Sequence, residues 1–350
     1  MKILYGVMGE GLGHTMRARA LVRGLEARGH RVCVATSSRA VPILRGHGIE
    51  TIAIDGLALA YRDGAVLRAR SVATVARAAP HALRRNVRAA LGEVRDLRPD
   101  AVVTDFDSFA YAVGRTWGLP IVSFDHQHVL DRCRHPRAIA ERLSPDFRAA
   151  RAFVRVKTPR CAHFVVTSFF FPPPRSAKTT LVGPVVRPEV AAARPTRGEH
   201  VVVYQSANGD RRLVPALLAN AHVPFVVYGA GAVGRVRNVE LRAFDEARFV
   251  ADLASARGVI ANGGFTTIAE ALYLGKPVLS VPLRHQGEQE LNAAYLAALG
   301  LGMRARRIDE EVVRSFVDHL DRFPAAHDVR LGTGNADAVH AVERALAEAA

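Results

Sequence analysis

Four lysines, three cysteines and one tryptophan are all that 350 residues contain of those types, and each scarcity removes a class of protein. Cys33, Cys133 and Cys161 lie far apart, show no metal-ligand spacing and cannot all pair, so a disulfide framework and a zinc site are both excluded. They read as structural residues of a reducing compartment. No uninterrupted apolar run approaches the roughly 18 residues of a membrane-spanning helix. The opening segment MKILYGVMGE is broken by Gly6, Gly9 and Glu10 too early for a signal peptide, and a cytoplasmic location is expected. The chain also lacks G-x-x-x-x-G-K-[ST], which removes phosphate-loop nucleotide hydrolysis. Gly9, Gly11 and Gly13 are spaced G-x-G-x-G, not G-x-G-x-x-G, and the second β-rich run ends VATSS without an acidic residue for a ribose hydroxyl. A nicotinamide dinucleotide site is therefore not expected.

What is present is positive charge. The formal net charge is +15, carried almost wholly by arginine, with much of the excess in two stretches, Arg62 to Arg98 and Arg132 to Arg160. Such a field favours an anionic partner, whether nucleotide phosphates, nucleic acid or acidic lipid headgroups, or else marks an idle solvated face. Aromatic residues do not interleave with these arginines as a stacking platform for single strands requires, which argues against nucleic acid.

About half the residues are apolar, enough for two cores, since single cores rarely grow past roughly 250 residues. KILYGVM, then GEGLGH, then a stretch with Ala18, Leu21, Val22 and Leu25 at helical spacing make a strand, turn and helix. HRVCVATS, DAVVTDF and LPIVSFDH continue the alternation, and a second series runs through EHVVVYQSAN, PFVVYGAG, RGVIANGG and KPVLSVPL. The pattern predicts an α/β protein of two doubly wound parallel-sheet domains facing a cleft: residues 1–187, a linker at 188–198, residues 199–330, and a terminal amphipathic helix at 331–350.

Two stretches carry chemistry. The first glycine turn delivers His14 to a helix start at the carboxyl end of a sheet, where the helix dipole disfavours imidazolium and leaves a neutral ring able to take a proton. In the second, VIA reads as a strand, Gly263 and Gly264 allow close backbone approach, and a helix from Thr266 to Leu274 stops at Gly275. Its free amides, with the Thr266 and Thr267 hydroxyls, suit a diphosphate. Glu270, one turn on, suits ribose hydroxyls. His285, Glu288 and Gln289 in PLRHQGEQ suit sugar hydroxyls. Diphosphate, ribose and sugar together describe a nucleotide-sugar donor.

GEGLGH, LVGPVVRP and above all GGFTTIAEALYLGKPVLSVPLRHQGEQELNA resemble the inverting glycosyltransferases of the GT-B fold, namely the UDP-glycosyltransferases and the glycosyltransferase family 28-like N-acetylglucosaminyltransferases of peptidoglycan synthesis. The resemblance implies two Rossmann-like domains and sugar transfer from a donor, most simply a UDP-sugar, to an acceptor hydroxyl, with inversion and no metal or cofactor. It places Gly11 and Gly13 in the amino-terminal glycine loop, and Gly263, Gly264, Phe265, Thr266, Thr267 and Glu270 in the donor segment. Ser206 and Asn208 fall in the loop facing the donor phosphates, and Phe244 near the base. It makes His14 the general base and Asp105 the orienting carboxylate, with Asp107 and Asp125 as competitors. Where the peptidoglycan enzymes carry a loop glutamate, PIVSFDHQH offers Asp125 or His126. Asn262 stands where many UDP-glycosyltransferases have a histidine and retaining enzymes a glutamate, which argues for inversion. The acceptor is not named by the sequence, and an anionic membrane surface stays a candidate partner of the basic domain. A nucleotide-sugar 2-epimerase of the same fold and a non-catalytic nucleic-acid-binding protein are the alternatives.

Overall fold

The computed structural model describes residues 1–9, 11–56, 61–62, 65–66, 68–205, 211–323 and 332–349; the side chains of 61–62, 65–66 and 68–78 are not described. Ser206, Asn208 and part of the first arginine-rich stretch lie outside the described residues.

Two seven-stranded sheets organise these residues. The first comprises β1 Lys2–Val7, β2 Arg31–Thr36, β3 Thr51–Ala53, β4 Ala101–Asp105, β5 Ile121–Asp125, β6 His163–Thr167 and β7 Thr179–Val182. They lie in the order β3-β2-β1-β4-β5-β6-β7, all parallel. The second comprises β8 Val201–Tyr204, β9 Phe225–Tyr228, β10 Gly234–Val236, β11 Val239–Arg242, β12 Gly258–Ala261, β13 Val278–Ser280 and β14 Gly302–Arg304. Its order is β10-β11-β9-β8-β12-β13-β14, with only β10 antiparallel to its neighbour. Strands such as Ala101–Asp105 and Gly258–Ala261 are buried along their whole length, as parallel strands covered by helices on both faces must be. That is why they read as unbroken apolar runs.

In each sheet the order reverses beside the first strand, between β1 and β4 and between β8 and β12. Ligands of open α/β sheets bind at that reversal, outside the carboxyl ends of the strands. Two helices begin there: α1 Leu12–Glu26 after β1, and, further along the chain, a helix spanning Phe265–Tyr273 after β12. Of the helices between them in sequence, Pro145–Lys157 is α2 and Glu246–Ser255 is α3; the Phe265–Tyr273 helix is α4, and Gly287–Ala298 and Asn335–Ala349 are α5 and α6.

The expected faces pack as the spacing predicts: Ala18, Leu21, Val22 and Leu25 of α1 are all buried. The terminal helix α6 does not extend the second domain. Its Ala338, Val342 and Leu346 join the core of the first sheet with Ile3 and Val22, so this helix packs with the first domain. The domains also share a core, in which Leu130, Phe147 and Phe170 of the first meet Phe265, Leu291 and Tyr295 of the second. Polar ties run beside it. Ser144 Oγ donates to both oxygens of Glu290 at 2.8 Å, and Arg19 of α1 donates to Glu246 of α3 at 2.6 Å. No described helix is long and apolar enough to cross a membrane.

Candidate active site

The starts of α1 and α4 face each other across the cleft between the domains. Gly11, with φ +85°, caps α1 in a backbone region closed to most side chains, and two residues later a Cβ on Gly13 would stand 2.7 Å from Oγ1 of Thr266. Only glycine lets the two helix starts come this close. A cavity of about 310 Å³ opens between them, bounded by Gly11, Gly13 and His14 on one side and Gly264, Phe265, Thr266 and Thr267 on the other.

His14, in the first turn of α1, lies with Nδ1 2.8 Å from Oδ1 of Asp105, the last residue of β4. With its proton on Nδ1 and donated to Asp105, the ring presents the Nε2 lone pair towards the cleft. Burial lowers the His14 pKa from its ordinary value; the Asp105 charge opposes this, and the Arg17 guanidinium adds to it. Arg17 carries no signal in the sequence beyond its place three residues after His14. It is buried, and donates from Nε to Oδ2 of Asp105 at 2.7 Å and from Nη2 to Oδ1 at 2.6 Å. Gln127 was equally silent. Its Nε2 lies 3.1 Å from Nε2 of His14, in donating range of the ring lone pair.

The other carboxylate candidates are occupied elsewhere. Asp107 caps the helix at Ser108–Trp117 by accepting from the Ala110 amide at 2.8 Å. Asp125 is fully buried, and accepts from the His128 amide at 2.8 Å and from Ser123 Oγ at 2.8 Å, with His128 Nδ1 at 2.6 Å from Oδ2. Burial alone would raise its pKa, but His128 and these hydrogen bonds hold it well below the usual carboxylate range. His126 is also fully buried, stacked on Phe265 with centroids 3.9 Å apart, and placed 2.8 Å from both the Thr167 carbonyl and Asn292 Oδ1. Burial depresses it to about 4. Neither Asp125 nor His126 borders the cavity, so the expectation that one of them replaces the family's loop glutamate is corrected: both are spent in packing and in joining the domains.

On the donor side, Gly263 admits α5, since a Cβ there would lie 2.5 Å from the Gln289 carbonyl oxygen. Glu288 and Gln289 line the cavity, as does Gln286, which sequence reasoning passed over. Burial raises Glu288 to about 7. Gln289 already accepts the Leu283 amide through Oε1 at 2.9 Å, which leaves its amide hydrogens for a ligand. Phe244, 40% exposed, borders the cavity beside Tyr204 and Phe249. His285 does not: its Nδ1 lies 3.0 Å from Asp146 Oδ2. Glu270 departs furthest from expectation. It is fully buried, does not border the cavity, and takes both its oxygens to Arg187, whose Nε and Nη2 donate at 2.7 and 2.8 Å. Arg187, in the junction motif LVGPVVRP, is the group that faces the cavity. Among the described residues no cluster of His, Cys, Asp and Glu could hold a metal ion.

Residues 1–321 match the family model described as Glycosyl transferase family 1. The chain belongs to that family. It is a glycosyltransferase of the GT-B fold, as its sheets and its relatives agree. A UDP-N-acetylglucosamine–N-acetylmuramyl-(pentapeptide) pyrophosphoryl-undecaprenol N-acetylglucosamine transferase of Methylobacterium nodulans is 28% identical over 97% of this chain and 94% of its own. The spinosyn forosaminyltransferase SpnP superposes with a TM-score of 0.66 at 19% identity, covering 99% of each chain. The glycosyltransferase SsfS6 of Streptomyces sp. SF2575, solved with thymidine diphosphate, does so with a TM-score of 0.60 at 20% identity, over 98% of this chain and 99% of that one.

Proposed function

We propose that this glycosyltransferase moves a sugar from a pyrimidine nucleoside diphosphate, most simply UDP, to an acceptor hydroxyl in one inverting displacement that needs no metal. The observation that carries the reading is the His14–Asp105 pair, 2.8 Å apart, standing across a narrow cleft from the start of α4. His14 Nε2 takes the acceptor proton as the acceptor oxygen bonds the anomeric carbon. The bond from that carbon to the diphosphate oxygen breaks, and its electron pair leaves with the diphosphate. The amides at Phe265, Thr266 and Thr267 and the positive end of the α4 dipole stabilise the departing charge, which is the work a metal ion does elsewhere. Asp105 holds the ring and compensates the imidazolium formed. Support for the pyrimidine comes from the printed donor of the N-acetylglucosaminyltransferase relative and the thymidine diphosphate held by the Streptomyces neighbour. The reaction belongs on the cytoplasmic side, with the basic first domain towards an anionic acceptor or the membrane carrying it.

The test is release of nucleoside diphosphate from UDP- and dTDP-sugars, with and without lipid, polysaccharide and small-molecule acceptors, with the product's anomeric configuration read by NMR. Acceptor-dependent release, an inverted product and indifference to EDTA are expected. A retained configuration, or turnover lost on chelation and restored by magnesium or manganese, overturns the mechanism. Conversion of donor without any acceptor would mark an epimerase instead.

A further inference from the structure

Beyond the donor residues the cavity has a second half, built wholly from the first domain, with Met8, Phe106, Leu130, Phe153 and Val154 as its walls. Two polar groups of the same domain that line the cavity bear on the acceptor. The first is Lys157, the last residue of α2 and one of only four lysines in the chain. Among the described residues no carboxylate lies within ion-pair distance of it. Its Nζ rests 4.0 Å from the centre of the Phe106 ring and 3.8 Å from the Met8 sulfur. A half-buried ammonium on an aromatic face is attracted to the ring, but a ring does not replace the oxygen ligands that water supplied. The second is Gln127. It lines the cavity with its Nε2 3.1 Å from Nε2 of His14, so its amide hydrogens lie where an acceptor oxygen must come. A hydroxyl arriving there accepts from the Gln127 amide through its oxygen while it donates its proton to the Nε2 lone pair of His14.

We propose that this half of the cleft takes an acceptor with a flat or elongated apolar body, whose hydroxyl is held by Gln127 beside His14 and whose oxyanion, a carboxylate or phosphate, pairs with Lys157. The inference rests on the glycosyl-transfer reading for the hydroxyl, whereas the anion site stands on Lys157 alone. Burial lowers Lys157 to about 8, with Asp107, Asp125 and Asp105 behind it acting in the opposite sense. A bound oxyanion favours the ammonium, so complex formation near pH 8 takes up a proton.

The experiment measures binding, not turnover, with 6-hydroxy-2-naphthoate, its methyl ester, 2-naphthoate and 2-naphthyl phosphate as fluorescent probes. The hydroxynaphthoate should bind about tenfold more tightly than its ester, the usual scale for a hydrogen bond to a charged group. That ratio should fall to about one in Lys157→Met and survive in Lys157→Arg. In Gln127→Leu it should persist while the preference for hydroxynaphthoate over naphthoate disappears. Whether phosphate or carboxylate binds more tightly, with the same dependence on Lys157, identifies the oxyanion. UDP binding by each variant verifies the fold. Equal affinity for acid and ester, a preference that Lys157→Met leaves intact, or no binding of any probe up to millimolar concentration overturns the proposal. A protein that shows the charge preference yet transfers no sugar keeps the anion site and refutes the reaction. One that glycosylates the neutral ester as readily as the acid does the reverse.

Discussion

Nη2 of Arg17 stands 2.8 Å from Nδ1 of His14, so a permanent cation touches the ring proposed as the general base. The same guanidinium occupies both oxygens of Asp105. Asp105 is thereby shared between a charge it neutralises and a ring it orients. Its pull on the imidazolium is weakened, and His14 stays unprotonated at the pH where a base is required. Arg17→Met leaves Asp105 to act on His14 alone and raises the His14 pKa. The acid limb of kcat/KM should therefore move to higher pH, with Arg17→Lys lying between. A merely structural role would lower the whole profile without moving the limb.

His14 itself sets the position of that limb. Burial holds its pKa below the ordinary histidine value of 6.5, so the neutral ring persists on acidification past that point. Activity should rise with pH through an inflection below 6.5 and then level off. His14→Ala should cost on the order of 10² to 10⁴ in kcat, the worth of a general base, with nucleoside diphosphate affinity unchanged. Asp105→Asn should lower kcat as well, because it removes the charge that compensates the imidazolium.

Glu270 and Arg187 form a buried bidentate pair, and Arg187 lies 3.3 Å from Glu246, which also binds Arg19 of α1. Removing one partner of such a pair leaves an uncompensated charge, at a cost of about 3–5 kcal/mol. Glu270→Gln should accordingly show its main effect in urea denaturation. The double variant Glu270→Met/Arg187→Met should recover part of the loss. A stability close to wild type, with nucleotide affinity sharply reduced, would return Glu270 to the ribose.

Gly13→Ala puts a methyl group 2.7 Å from Thr266 Oγ1 and forces the starts of α1 and α4 apart. Displacements of this size at a reacting pair cost roughly 10² in rate. The variant should lose activity on that order while its thermal midpoint changes little. Partial restoration by Thr266→Ala, which removes Oγ1, would show that the contact with Thr266 is the cause.

Gln289 reaches the cavity only through its amide hydrogens, because Oε1 is held by the Leu283 amide. Gln289→Ala should raise the donor KM or lower kcat with little change in affinity for free nucleoside diphosphate. An equal fall in diphosphate affinity would place this side chain on the phosphates.

The fold class, the two sheets and a glycine turn ahead of each of the two helices could be read from the chain, whereas Asp105 as the partner of His14 came from the family resemblance, with Asp107 and Asp125 as competitors. The former depend on local pattern: apolar runs for buried parallel strands, glycine where backbone must pass close, a polar residue where a strand gives way to a turn. Which charged group each carboxylate meets is not local. Glu270 is separated from Arg187 by 83 residues and Asp105 from Arg17 by 88, and no spacing announces either pair. The same holds for Asp125, His126 and His285, whose residue types fit catalysis or binding but whose positions give them to His128, Asn292 and Asp146. The return of α6 to the first domain is likewise invisible in its amphipathic pattern, which shows that a face is covered and not by what. Sequence determined where backbone can turn and which faces must be buried. Tertiary structure alone decided which buried charges neutralise one another, because that depends on distances between elements that the chain brings together only on folding.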